Sequence, residues 1–380
     1  MTTPSLNFPD AMDATAPAWL RAWNRFWFAA IDPTGLGFMR ILCGILVFYT
    51  TLTYSDDLLS YLGPHAWLDK TAQNHIRHEA SIYYPENNWN EAPHASKEEH
   101  GEAVWSIFFH VDDPFWVVVI HIAILAVMLL FTVGLWTRVT SVLAWMGAMC
   151  YVQRLPTTNF GQDTMLIILM LYLMIGDSGA ALSVDRWLEL RRLRREQGGN
   201  ANLALLPSWS ANFAIRLIQV HFCIIYLVSG SSKLLGAAWW NGTAMWLTLA
   251  NYNFAPMRVG LYNELLYVLC RNLWLWQICM TGAVVFTLFT EISFTYLVWS
   301  RRWRPFMVSC SVLMHLGIGL IMGLSVFSLF MLVMVLAFVP PETIHTFLNE
   351  ISDRVRRRIK PNEAQRAPSA SKEALVLSRA

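Results

Sequence analysis

The chain has 380 residues, of which 55% are apolar and only 14% charged, with 18 tryptophans and a formal net charge of +2. A soluble chain of this length carries about a quarter charged residues, so composition excludes an ordinary soluble enzyme, and nothing in the charge balance points to nucleic acid. Apolar stretches of about 18 residues or more recur along the sequence, each long enough to cross a hydrocarbon core; the expected fold is an all-α polytopic transmembrane helical bundle.

The opening residues, "MTTPSLNFPDAMDATAP", are polar and lack the basic start, apolar core and small-residue cleavage site of a secretory signal. The first span is therefore expected to act as an uncleaved anchor. Within this leading segment, 1–32, "AWLRAWNRFWFAAI" interleaves Trp19, Trp23 and Trp27 with Arg21 and Arg25. That pattern reads either as an amphipathic helix in the membrane interface or as the lower end of a tilted first span.

Eight spans are expected, at about 36–55, 115–134, 139–153, 163–177, 212–230, 273–299, 306–323 and 326–341. The third, fourth and eighth are short for a perpendicular crossing. With the N-terminus inside, 21 of the 28 lysines and arginines fall on or next to the inner side, including "RWLELRRLRRE", "RRWR" and "RVRRRIK". This is the positive-inside asymmetry, and an even number of spans leaves both termini cytoplasmic, in a cell (inner) membrane. The membrane domain is expected over 33–345, followed by a basic, disordered cytoplasmic tail over 346–380.

Two long outer loops follow from this plan, about 56–113 and 231–272. The first holds six of the ten histidines, among them His75 and His78 at a helical i, i+3 spacing. No cysteine or carboxylate completes a ligand pattern, so no metal site is expected. The six cysteines lie in or beside apolar segments without a CxxC pair, which reads as packing. The second outer loop is aromatic, with Trp239, Trp240, Trp246, Tyr252 and Tyr262, and suits headgroup depth or a partly re-entrant helix.

Ionisable groups inside spans are costly and mark candidate sites. Glu291 lies ten residues before Arg301, and His315 eleven after Arg304 on the next, oppositely directed span. At 1.5 Å per residue both sit roughly 15 Å above the inner face, which makes them plausible hydrogen-bond partners, as a hairpin clasp or as part of a proton relay. His221 falls somewhat nearer the inner side. Lys233 closes span five in "SGSSKLLGAAWWNGTAMW" (229–246). It reads as a snorkelling anchor or as a base in an aromatic, water-poor pocket, and these residues alone leave both open.

The motif "YLVSGSSKLLGAAWWNGTAM" resembles the lysine signature of the horizontally transferred transmembrane (HTTM) domain family, the membrane domain shared with vitamin K-dependent gamma-glutamyl carboxylases. "GFMRILCGILVFY", "GLWTRVTSVLAW", "ALSVDRW", "FTEISFTYLVWSRRWRP" and "HLGIGLIMGLSVFSLFMLVMVLAFVPPE" agree in order, so the likeness covers roughly 33–345. The resemblance implies Lys233 as the base acting on a hydroquinone; Glu291, His315 and His221, picked out by their place in the spans, would be its buried polar support. Trp239, Trp240 and Asn159 are then the residues beside a quinone or hydroquinone cofactor. Where the carboxylases carry an Asn–His pair, "TTNFGQDTML" offers Asn159 without the histidine, and no large lumenal region follows the last span. Peptide gamma-carboxylation by this chain alone is therefore not expected. The expectation is a quinol- or lipid-using membrane enzyme or, alternatively, an accessory factor for maturation or export of a secreted peptide or partner protein. Transport is a third class, for which the sequence offers neither broken-helix pairs nor inverted repeats.

Overall fold

A computed structural model describes residues 16–79, 104–197, 204–252 and 259–359. Among the described residues nine helices carry the architecture: α1 (Ala18–Phe28), α2 (Thr34–Leu52), α3 (Pro114–Val133), α4 (Thr137–Arg154), α5 (Gly161–Ile175), α6 (Trp209–Lys233), α7 (Leu273–Leu297), α8 (Arg304–Ile321) and α9 (Ser325–Val335). Helices occupy the eight expected segments, the eighth only as far as Phe338. The first span with its continuation, Thr34–Leu62, and α3, α6, α7 and α8 are each long and apolar enough to cross a membrane. The remaining three, α4, α5 and α9, lie where the short spans are expected and do not meet that criterion by themselves.

Sequence periodicity explains which faces turn inward. On α2 the fully buried residues Leu36, Met39, Cys43 and Val47 recur at helical spacing. On α6 the stripe runs through Ala211, Ile215, Ile218, Phe222 and Tyr226. The short helix α9 contributes Phe330, Met331, Val333, Met334 and Val335 to the same core. It packs on α2, α5, α6 and α8, so protein rather than lipid covers most of its surface. Between helices in lipid the driving force is close packing, and small residues allow it. A Cβ on Gly44 of α2 would lie 2.4 Å from the Thr132 hydroxyl of α3, and one on Gly230 of α6 would lie 2.8 Å from Ile292 of α7.

Two knots of polar atoms tie the helix ends. Gly134 ends α3 in the left-handed region (φ 74°), and Asp185 accepts from the Trp136 and Thr137 amides and the Thr137 hydroxyl at 2.7–2.8 Å. A carboxylate thus satisfies the open amides at the start of α4. Beside it the fully buried Arg40 donates to the carbonyls of Ser178 (2.7 Å) and Leu182 (2.6 Å). At the other end of α4, the equally buried Arg154 donates to the carbonyls of Leu68 and Gly63 and to Gln73 Oε1, at 2.8–3.2 Å. These knots give the blocks "GLWTR" and "ALSVDRW" a structural purpose.

The leading helix α1 is separate from α2. It docks on α6, where Asn212 and Arg216 both donate to the Phe26 carbonyl at 3.0 and 3.1 Å, and it leaves Trp19 and Trp23 exposed. Residues 1–15 lie outside the described set. From Val339 onward the chain forms a second compact unit. Here the expectation of a disordered tail from 346 needs correcting: Pro341–Ile359 is one helix, amphipathic along its length. Its apolar residues Ile344, Phe347, Leu348 and Ile351 recur at 3.6-residue spacing, a pattern that the basic composition of the tail hid. Residues 360–380 lie outside the described set.

Candidate functional site

Lys233 is the last residue of α6, and its side chain turns back into the bundle. Its Nζ donates to Glu291 Oε1 of α7 at 2.8 Å and to Ser229 Oγ at 2.6 Å. Ser229 in turn donates to the same Glu291 oxygen at 3.1 Å. The two side chains are 22% and 8% exposed, so the lysine does not reach for water, as an anchor would. Gly230 makes this possible: without a side chain there, Ile292 and Glu291 come close enough to α6 for the ammonium to meet the carboxylate. Above the pair the loop after α6 folds over, and the Trp239 ring stands 5.4 Å from Nζ in cation–π range.

Trp240 takes no part in this. It is 72% exposed and spends its indole N–H on the Leu234 carbonyl (2.7 Å) at the end of α6. The anticipated Glu291–His315 hydrogen bond is likewise absent. His315 Nε2 is bonded instead to the Tyr226 hydroxyl at 2.7 Å, and Tyr226 also meets Ser311 Oγ at 2.7 Å. Equal depth was not enough, because the Tyr226 ring of α6 takes the contact that His315 needed. Tyr226 and Ser229 stand one turn apart on α6, so the two polar groups share one helix face. Glu291 Oε2 and His315 Nδ1 are buried and have no hydrogen-bond partner among the described residues.

His221 stands apart, its Nδ1 bonded to the Tyr172 hydroxyl of α5 at 2.9 Å. Asn159 donates to the Val152 carbonyl (2.9 Å) and lines a cavity between the ends of α2, α4 and α5. Lys233 does not border that cavity. The side chains of His75 and His78 lie outside the described residues. Among the described residues no group of three His, Cys, Asp or Glu is placed to hold a metal ion, and the cysteines there are all free.

The sequence reading missed Ser229, Tyr226 and Ser311, although the first two were legible at i−4 and i−7 from Lys233 on one face of α6. It also missed His121 of α3, whose ring bonds Tyr151 (2.6 Å) and Ser55 (2.8 Å). No neighbouring polar residue in the sequence marks His121, since both partners come from other elements.

The site thus sets a buried carboxylate oxygen without a hydrogen-bond partner among the described residues, Glu291 Oε2, beside an ammonium and the Trp239 ring. A comparison with protein-family models matches the chain over residues 101–342 to the HTTM domain. Neither the curated proteins nor the solved structures give a match.

Proposed function

The chain belongs to the HTTM domain family, and on that premise we propose that this integral membrane protein is an enzyme acting on a quinol- or lipid-type substrate, with the Lys233–Glu291 pair as its proton-accepting centre. The observation that carries this reading is the inward-turned lysine, held 2.8 Å from a buried carboxylate beneath Trp239. Ammonium with carboxylate, and amine with carboxylic acid, hold the same number of protons, and the second form leaves Lys233 with a free lone pair. From either form the pair takes up one proton, and the resulting ammonium stabilises the oxygen that lost it. A quinol would supply the acidic hydroxyl and the redox chemistry. Ser229 orients Glu291 Oε1, and Trp239 limits access of water. The carboxylase likeness supports Lys233 as the base.

The test uses full-length protein in liposomes and anaerobic, reduced menadione as the probe. Quenching of tryptophan fluorescence, with Trp239→Phe as the control for the reporting ring, measures binding. Wild-type protein is expected to bind saturably, and Lys233→Ala and Glu291→Gln at least tenfold more weakly while still inserting. Wild-type affinity in Lys233→Ala overturns the proposal. A secreted peptide or protein that co-purifies equally with wild type and Lys233→Ala would favour the accessory role instead.

A further inference from the structure

The cavity that Asn159 borders is a second candidate site, separate from the lysine pair. It measures about 450 Å³ and opens where the ends of α2, α4 and α5 meet the start of α9. Four of its wall residues are tyrosines: Tyr49, Tyr54, Tyr61 and Tyr151. Tyr54 is the hub, its ring 5.5 Å from Tyr61 at 89° and 5.1 Å from Tyr151. Behind the wall, the buried His121 holds the Tyr151 hydroxyl at 2.6 Å and fixes that ring.

Among the described residues Asp163 is the only charged one in the lining, and no lysine, arginine or histidine there borders the space. It accepts the Phe160 amide through Oδ2 at 3.0 Å, as the capping residue of α5. No cation pairs with it among the described residues. Thr50, Thr158, Asn159 and Gln162 supply further polar groups around it. Aromatic faces carry negative potential, and together with a carboxylate they repel anions. The polar lining in turn gives a purely apolar guest unsatisfied contacts. The guest that meets every feature is a small organic cation, because an alkylated ammonium group is attracted to ring faces and carboxylate alike.

We propose that the tyrosine-lined cavity around Asp163 binds an ammonium-bearing ligand, either the headgroup of a lipid or a soluble amine of the same chemistry. Tyr54 supplies the central ring face, Asp163 the counter-charge, and Thr50, Asn159 and Gln162 the contacts to the polar part of the ligand. The site does not depend on Lys233.

The test is calorimetric titration of full-length protein in phosphatidylglycerol nanodiscs with choline chloride, against sodium chloride at equal ionic strength. Saturable choline binding is expected, with no sodium response. Asp163→Asn keeps an acceptor for the Phe160 amide but removes the charge, and is expected to weaken binding at least tenfold. Tyr54→Leu should do the same, whereas Tyr54→Phe, which keeps the ring face, should retain binding, and Lys233→Ala should leave it unchanged. Repetition in phosphatidylcholine nanodiscs separates the two sources: a lipid headgroup would already fill the site and abolish the choline signal, while a soluble amine would still bind. Absence of saturable choline binding in phosphatidylglycerol overturns the proposal. So does unchanged affinity in Asp163→Asn, or in Tyr54→Leu should the aspartate variant fail to fold.

Discussion

A lysine at the end of a membrane helix can satisfy its charge in water or in protein, and Lys233 chooses protein. The choice leaves a signature. Removing one member of a buried ion pair strands the other charge, which costs about 3 kcal/mol or more, whereas removing both relieves much of that cost. Glu291→Gln is therefore expected to lower the thermal unfolding midpoint of the detergent-solubilised protein clearly. Lys233→Met combined with Glu291→Leu should recover at least half the loss, and a strictly additive double variant would show that the contact contributes nothing. The same reasoning applies to Arg40, whose fork meets two carbonyls at 2.6–2.7 Å. Arg40→Lys loses the planar geometry and should destabilise by about 1–3 kcal/mol, read in the same unfolding assay.

Among the helices, close approach decides which polar groups meet. Gly230 sits where a Cβ would lie 3.2 Å from the Glu291 Cβ and 2.8 Å from Ile292. Gly230→Val should push α6 and α7 apart and detach Lys233 from its partner without changing either charged residue. Crosslinking of cysteines introduced at 226 and 294, whose parent rings lie 5.0 Å apart, would report this. Efficient crosslinking in wild type and its marked loss in the valine variant are expected; equal yields would show that the glycine is not the spacer. The short helix α9 follows the same logic: its partners cover it, so it needs less apolar length than a helix facing lipid.

Over the whole molecule, charge asymmetry predicts which ends face outward. Cys270 is exposed on the helix Gly260–Arg271, in the loop expected outside. A membrane-impermeant maleimide should label it in sealed right-side-out vesicles before any detergent is added, and Cys270→Ala should remove most of that signal. Labelling of Cys270 only after the vesicles are opened would invert the topology. Helices occupy the eight expected segments, yet five meet the length and apolarity of a crossing by themselves; the vesicle experiment also tests the parity on which the other three depend.

What the sequence determined by itself is the class of the molecule, the position of each long helix, and the short list of costly residues that includes Lys233, Glu291 and His315. These are legible because apolar length, charge asymmetry and the penalty for a buried ion are properties of a segment or of a single side chain. Pairing is not such a property. From depth alone, Glu291 had His315 as a partner, but rotation about the helix axes set Glu291 towards Lys233 and inserted Tyr226 in front of His315. Asn159, assigned to the lysine by likeness, lines a separate tyrosine-walled cavity. Only the tertiary structure decided these contacts, because the azimuth of each helix is fixed by packing around glycines and rings that come from distant parts of the chain.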